Sequence, residues 1–429
     1  MTGLLRDLAL GVGLAAYGVR KRLETGRWRT DTTTRNGAVG DLVRRAPGPR
    51  ILVHGVSVGE TNALEPFVDA LAASTSRPDV VVSASTATGF ERARLIHTGH
   101  REVVRFPLDF TWMVSRFLDA VRPDLVVLAE LELWPTFMAA CTRRRIPLCV
   151  VNGRLSERSF RGYRRGGALT RQFFRRLDLV VAQTATYAAR FVALGAPAER
   201  VKVGGNLKWD AVLGDPGPAL ATELAAQFGI DRSQPLIVAG STGPGEEEAL
   251  LRGLPGGCQL LLAPRNPDRW DEVAALVPGM PRRSNGAPGG EGGGGPGAPP
   301  RVFLLDTLGE LGAAYLLADA VFVGRSLAPM GGSNPIEPVA LGKPAVIGPH
   351  HENFAGVVAD LVREGGLAVS AEPMAVIEAW LGDEAARQAV ATGGSRALER
   401  HRGSAARAAA RVLAVPRRRR AASTQAARR

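Results

Sequence analysis

From residue 51 onward, short uninterrupted apolar runs alternate with longer stretches of helical spacing. Residues 51–53, 80–82, 125–128, 148–151 and 179–181 form one series of runs, and 236–238, 259–262, 302–305, 320–323 and 345–347 form a second. A strand that is apolar at every position is buried on both faces, so helices alternating with such strands predict a parallel sheet covered on both sides. Right-handed crossovers then give a doubly wound, Rossmann-like domain. The two series predict an α/β chain of two such domains facing each other across a cleft, with ligands at the carboxyl ends of the strands. The series are separated by residues 214–218, which hold two prolines and two glycines. The expected boundaries are an N-terminal domain over 23–207, a linker over 208–234 and a C-terminal domain over 235–399. An insert at 281–300, with eight glycines and five prolines, buries too little apolar surface to offset its ordering entropy and is expected to be disordered.

Charge changes the picture at the two ends. The net charge is +13, yet residues 1–50 carry +6 and residues 400–429 carry +10, which leaves −3 for the body between them. Basic ends on a near-neutral body fit an anionic surface rather than a nucleic-acid groove. No basic stripe is evident in the body. The apolar, glycine-bearing stretch 8–19 is followed by Arg20, Lys21 and Arg22 and is too short to span a bilayer. Residues 1–22 are therefore expected to associate with a membrane peripherally, and 400–429 to form a basic disordered tail. The three cysteines are far apart and form no CxxC pair, which excludes a disulfide framework and suits a reducing compartment.

Candidate chemistry lies at the carboxyl ends of the predicted strands. His54-Gly55-Val56-Ser57-Val58-Gly59-Glu60 follows the first strand, and Glu60 opens a helix, where a carboxylate serves either as a cap or as a general base. Glu130 and Glu132 follow the third strand, and an unpaired carboxylate is too costly to bury in the core. Arg154, after the fourth strand, either holds an anion or pairs with Glu157. In the second domain Ser241-Thr242-Gly243 and the turn Gly331-Gly332-Ser333-Asn334, which leads to Glu337, precede helices and suit a phosphate. Arg265 follows the strand between them. No Walker A or GxGxxG spacing is present.

With these residues in view, the chain resembles the Kdo transferases, GT-B glycosyltransferases that move 3-deoxy-D-manno-octulosonic acid (Kdo) from CMP-Kdo to lipid A precursors. The matching motifs run in order from HGVSVGE and ELELWP through NGRLSERSFRGY, GGNLKWD, STGPGEEE and PRNPDR to DTLGELGAAYLLAD, GRSLAPMGGSNPIEP and GPHHENF. The resemblance implies that Glu60 is the general base of an inverting displacement. Ser57, Gly59, Glu130, Glu132, Arg154 and Lys208 would line the acceptor side. Ser241, Thr242, Arg265, Gly309, Glu310, Gly324, Ser326, Gly332, Asn334 and Glu337 would hold the CMP part of the donor. It further implies no metal or other cofactor, no nucleic-acid partner, and work on a lipid A precursor at the cytoplasmic face of the inner membrane. The chain departs from the family at Gly243, Asn266 and Ser333, where histidine is common. The departures keep two alternatives open: a GT-B transferase or epimerase for another nucleotide sugar, and a non-catalytic nucleotide-binding membrane protein.

Overall fold

The computed structural model describes Asp7 and residues 35–211, 217–286 and 302–416. It divides into two compact units, Met1–Ala211 with Gly403–Arg429, and Val212–Arg402. The first unit holds β1 (Arg50–Gly55), β2 (Asp79–Ala84), β3 (Glu102–Arg105), β4 (Leu125–Ala129), β5 (Leu148–Gly153), β6 (Leu179–Ala182) and β7 (Val201–Val203). These strands are parallel in the order β3-β2-β1-β4-β5-β6-β7. Alternate residues serve opposite cores, which is why the central runs are apolar throughout. Leu52, Val126 and Val150 pack with Phe106, Phe117 and Phe137. Val53, Val127 and Cys149 pack with Phe67 and Leu71 on the other face.

The second unit holds β8 (Leu236–Thr242), β9 (Gln259–Pro264), β10 (Val302–Leu304), β11 (Ala320–Val323), β12 (Ala345–Ile347) and β13 (Ala368–Val369), parallel in the order β10-β9-β8-β11-β12-β13. The ten strands expected from apolar runs are present. The three that sequence reading missed, β3, β7 and β13, lie at sheet edges. An edge strand is buried on fewer sides, so its residues need not be apolar; β7 is Val-Lys-Val and half-buried to exposed.

Three boundary expectations are corrected. The stretch 208–234 is not one linker. Trp209 is buried in the first unit, whereas helix Pro218–Phe228 belongs to the second and buries Leu224 and Phe228. The stretch 400–429 is not wholly a tail. Helix Ser404–Leu413 buries Ala405, Ala408, Ala409 and Val412 in the core of the first unit. The Asp210 carboxylate accepts the N–H groups of Gly403 at 2.8 Å and Ala405 at 2.6 Å, fixing the start of that helix. Small residues at helical spacing, not charge, are the signal there. Within 281–300, residues 281–286 are ordered. Arg282 meets Asp306 at 2.7 Å, and Arg283 meets Glu310 at 2.8 Å and Glu223 at 2.7 Å. The remainder of that insert, the residues after 416 and all of 1–22 except Asp7 lie outside the described residues. No described helix is long and apolar enough to cross a membrane.

Candidate active site

In each sheet the strand order reverses once, between β1 and β4 and between β8 and β11. The loops leaving those strands separate there and open a crevice at the carboxyl edge. The motifs HGVSVGE and ELELWP leave β1 and β4, STGPGEEE and GRSLAPMGGSNPIEP leave β8 and β11, and the others follow other strands of the two sheets.

In the first unit, Ser57 caps helix Val58–Ala72 by accepting the Glu60 N–H at 3.4 Å. The Glu60 carboxylate turns back and accepts the Val56 N–H at 2.8 Å and the Ser57 hydroxyl at 3.1 Å. This is a capping box, reaching one residue further back than usual. Burial raises the Glu60 pKa above the ordinary carboxylate value. The Val56 hydrogen bond opposes the rise, the Glu130 charge adds to it, and Ser57 and Lys208 oppose it. Glu130 leaves β4 in a left-handed conformation, φ 50°, with its N–H on the Val151 carbonyl at 3.0 Å.

Glu132 is pushed up to about 7, first by burial and then by the charges of Glu60 and Glu130, with the Trp134 and Arg35 effects opposing. The Trp134 indole N–H donates to it at 3.1 Å. Burial lowers the Lys208 pKa, Glu130 and Glu60 raise it, and Arg154 lowers it. Glu60, Glu130, Glu132, Lys208 and Arg154 thus form one electrostatically coupled group at the crevice edge. The open alternative at Arg154 is resolved on the other side of the pair, since Glu157 bonds Arg190 at 2.6 Å. Gly59 is exposed in the first helical turn and leaves space for a side chain.

His54 is enclosed. Its ring stacks on Phe106 at 3.7 Å, its Nδ1 meets the Ser83 hydroxyl at 3.1 Å, and burial lowers its pKa to about 3. It is a neutral support beneath the Glu60 turn.

In the second unit the β8 and β11 loops are joined by Glu246, which is 1% exposed. One carboxylate oxygen accepts the N–H groups of Gly243 at 2.8 Å and Arg325 at 2.6 Å. The other accepts those of Ser326 at 2.6 Å and Leu327 at 2.9 Å. Gly324 permits this approach, because a Cβ there would stand 2.5 Å from the Thr242 Cα. Arg265 is exposed after β9, and its charge acts on Glu337, whose pKa burial raises. Asn334 donates to Glu337 at 3.2 Å and accepts the Ile336 N–H at 3.2 Å. Gly332 takes φ 75° and donates to the Arg325 carbonyl at 2.8 Å.

Three expected donor contacts are corrected. The Thr242 hydroxyl is buried and donates to Glu247 at 2.6 Å. Ser326 is fully buried, donating to the Val323 carbonyl at 2.6 Å and accepting the Gly348 N–H at 2.8 Å. Glu310, after the exposed turn at Gly309, is held by Arg283 and Thr307, which lower its pKa. These three side chains maintain the loops, as does the buried Gly332, leaving Ser241, Arg265, Asn334 and Glu337 as the candidate ligand-facing set. Among the described residues, no group of three or more His, Cys, Asp or Glu is placed to hold a metal ion.

Residues 21–211 match the family model described as 3-deoxy-D-manno-octulosonic-acid transferase (kdotransferase). The 3-deoxy-D-manno-octulosonic acid transferase of Bordetella pertussis is 33% identical over 412 residues, covering 90% of this chain and 92% of that protein. The chain belongs to the Kdo transferase family. The Haemophilus influenzae transferase is 32% identical over 395 residues, covering 88% of this chain and 90% of its own. This Kdo transferase family member is thus a glycosyltransferase, and its fold is GT-B. HepE of Anabaena, solved with UDP-glucose, matches with TM-score 0.56 at 18% identity, over 85% of this chain and 99% of its own. UDP-GlcNAc 2-epimerase of Neisseria meningitidis matches with TM-score 0.54 at 12% identity, over 85% and 99%.

Sequence reading missed Glu246, Arg35, Trp134 and Tyr163 as parts of these sites. Glu246 was hidden in a run of three acids, while Trp134 follows Glu132 closely enough to have been suspected. The expectation of no basic stripe in the body is also overturned. Residues 157–176 hold seven arginines and one acid, a net +6 against −9 for the rest of 51–399.

Proposed function

We propose that this chain transfers Kdo from CMP-Kdo to a lipid A precursor at the cytoplasmic face of the inner membrane. The reaction is an inverting displacement in which Glu60 is the general base. An acceptor hydroxyl oxygen bonds to the anomeric carbon of Kdo as its proton passes to Glu60. The bond from that carbon to the CMP phosphate oxygen breaks, and CMP departs with the electron pair. The observation that carries this reading is the partly desolvated Glu60 carboxylate at the β1–β4 reversal, its pKa raised, beside Glu130 and Lys208. Arg265 supplies positive charge for the negative charge developing on CMP, with the Asn334 side chain at the same end of the sheet. The basic termini and the apolar start are assigned to the membrane surface, and no metal is required.

The test is Kdo transfer to a detergent-dispersed, tetraacylated precursor, read by mass spectrometry at saturating donor and acceptor. Glu60→Gln should lower kcat by about 10²–10⁴-fold, the usual worth of a general base, with the melting temperature held and excess EDTA without effect. Full activity in Glu60→Gln would remove the base assignment, and a product mass without Kdo would remove the donor.

A further inference from the structure

Helices Glu157–Arg165 and Gly167–Phe174 with Arg175 and Arg176 make an arginine-rich, largely exposed stretch of the first unit. Helix Glu157–Arg165 buries no residue fully. Phe160 and Tyr163 root it against the core, while Arg158, Arg161, Arg164, Arg165, Arg171 and Arg175 are exposed. Glu157, the only acid in this stretch, bonds Arg190 at 2.6 Å with one oxygen and meets Arg161 at 3.8 Å with the other, which leaves the stretch at net +6. Leu169, 64% exposed, lies between Arg165 and Arg171 in the chain.

The surface adjoins the acceptor side. Tyr163, on the same helix, feels the charge of Glu132. Asp7 marks the same carboxyl edge, because its carboxylate accepts both the N–H and the hydroxyl of Thr111, each at 3.0 Å, at the start of the helix that follows β3.

We propose that this folded arginine surface is a docking face for the anionic headgroups of a lipid bilayer, acting beside the chain termini. Charge complementarity selects that partner. Net +6 is concentrated on residues 157–176, two short helices and the two arginines that follow them, in a body that is otherwise acidic, and the exposed Leu169 of the second helix can enter the headgroup layer with the guanidinium groups. The inference rests on the lipid-acceptor reading above. It places the membrane beside the proposed base rather than only at the chain ends.

The test uses the full chain and two variants, one with Arg161, Arg164, Arg165 and Arg171 all changed to Gln and one with the same four changed to Lys. Partitioning is measured on phosphatidylcholine vesicles with and without phosphatidylglycerol. Each arginine near an anionic surface is worth about fivefold, so the Gln variant should bind phosphatidylglycerol vesicles at least about tenfold more weakly. The Lys variant should stay close to the parent, and both should melt as the parent does. Transfer to a detergent-dispersed acceptor should be unchanged in both. Unaltered partitioning of the Gln variant would overturn the proposal, as would equal losses in the Gln and Lys variants. A loss confined to nucleic-acid binding would also overturn it. Absence of Kdo transfer by the parent would refute the transferase reading while the vesicle measurements still decide the face.

Discussion

Glu246 offers a severe test of how the second unit is built, because Gln, usually a mild replacement for Glu, should fail there. Four backbone N–H groups from two loops converge on one carboxylate at 2.6–2.9 Å. Two of these groups, on Gly243 and Ser326, belong to buried residues, while Arg325 and Leu327 are half-buried. Glu246→Gln leaves one oxygen for one donor pair and turns an NH₂ group toward the other. One buried and one half-buried N–H then lose their acceptor, at about 1–3 kcal/mol for each buried group. With a smaller cost for the half-buried group, the loss is about 2–5 kcal/mol, a large share of the ~5–15 kcal/mol that holds a typical domain. The assay is amide hydrogen exchange by mass spectrometry together with urea unfolding. Peptides covering Gly243 and residues 324–328 should exchange faster, while those covering β1 and β4 should not. Stability within about 0.5 kcal/mol of the parent, the range of an inert surface change, with unaltered exchange at both loops, would refute the reasoning.

The carboxyl of Glu132 is raised from 4.5 to about 7, so the folded state holds that proton more tightly than the unfolded chain and stability is lost as pH rises through 7. Glu132→Gln should therefore melt above the parent at pH 8 and lose that advantage at pH 4–5; a difference independent of pH would contradict the assignment. Arg269 pairs with the fully buried Glu247 at 2.9 Å, so Arg269→Met should cost about 3–5 kcal/mol by stranding a charge. Adding Glu247→Leu should recover more than half of that loss in urea unfolding. A chain ending at Arg402 should lose stability in the first unit because Ala405, Ala408, Ala409 and Val412 no longer cover its core, whereas a chain ending at Pro416 should melt as the full chain does.

The central strands were legible because burial on two faces requires consecutive apolar residues, and runs such as 125–128 carry no polar residue between their apolar ones. The edge strands were not, since β3 reads Glu-Val-Val-Arg and gains its place from pairing with β2 rather than from its own pattern. Helix Ser404–Leu413 was concealed by its arginines, which lie on the face opposite the buried alanines. At the site, the carboxyl-edge positions of Glu60, Glu130 and Arg265 followed from strand order. Which polar atoms each loop uses for itself depends on contacts between distant segments. Thr242 with Glu247 and Arg283 with Glu310 consume side chains that looked available in the sequence.

That distinction bears most directly on the proposed base. Glu60 and Glu246 occupy corresponding places, each on the helix that follows the first strand at its sheet's reversal, β1 or β8. A carboxylate has about four lone-pair sites. Glu246 has four N–H donors on them and is 1% exposed, so accepting a proton would break bonds that join two loops. Glu60 receives two, from Val56 and Ser57, and its surroundings are a half-buried edge shared with another glutamate and a lysine. A proton on Glu60 relieves its repulsion with Glu130 and displaces no bond between distant segments. The same topological position thus supplies a structural clamp in one unit and a group able to exchange a proton in the other, which is the physical ground for proposing Glu60 as the base.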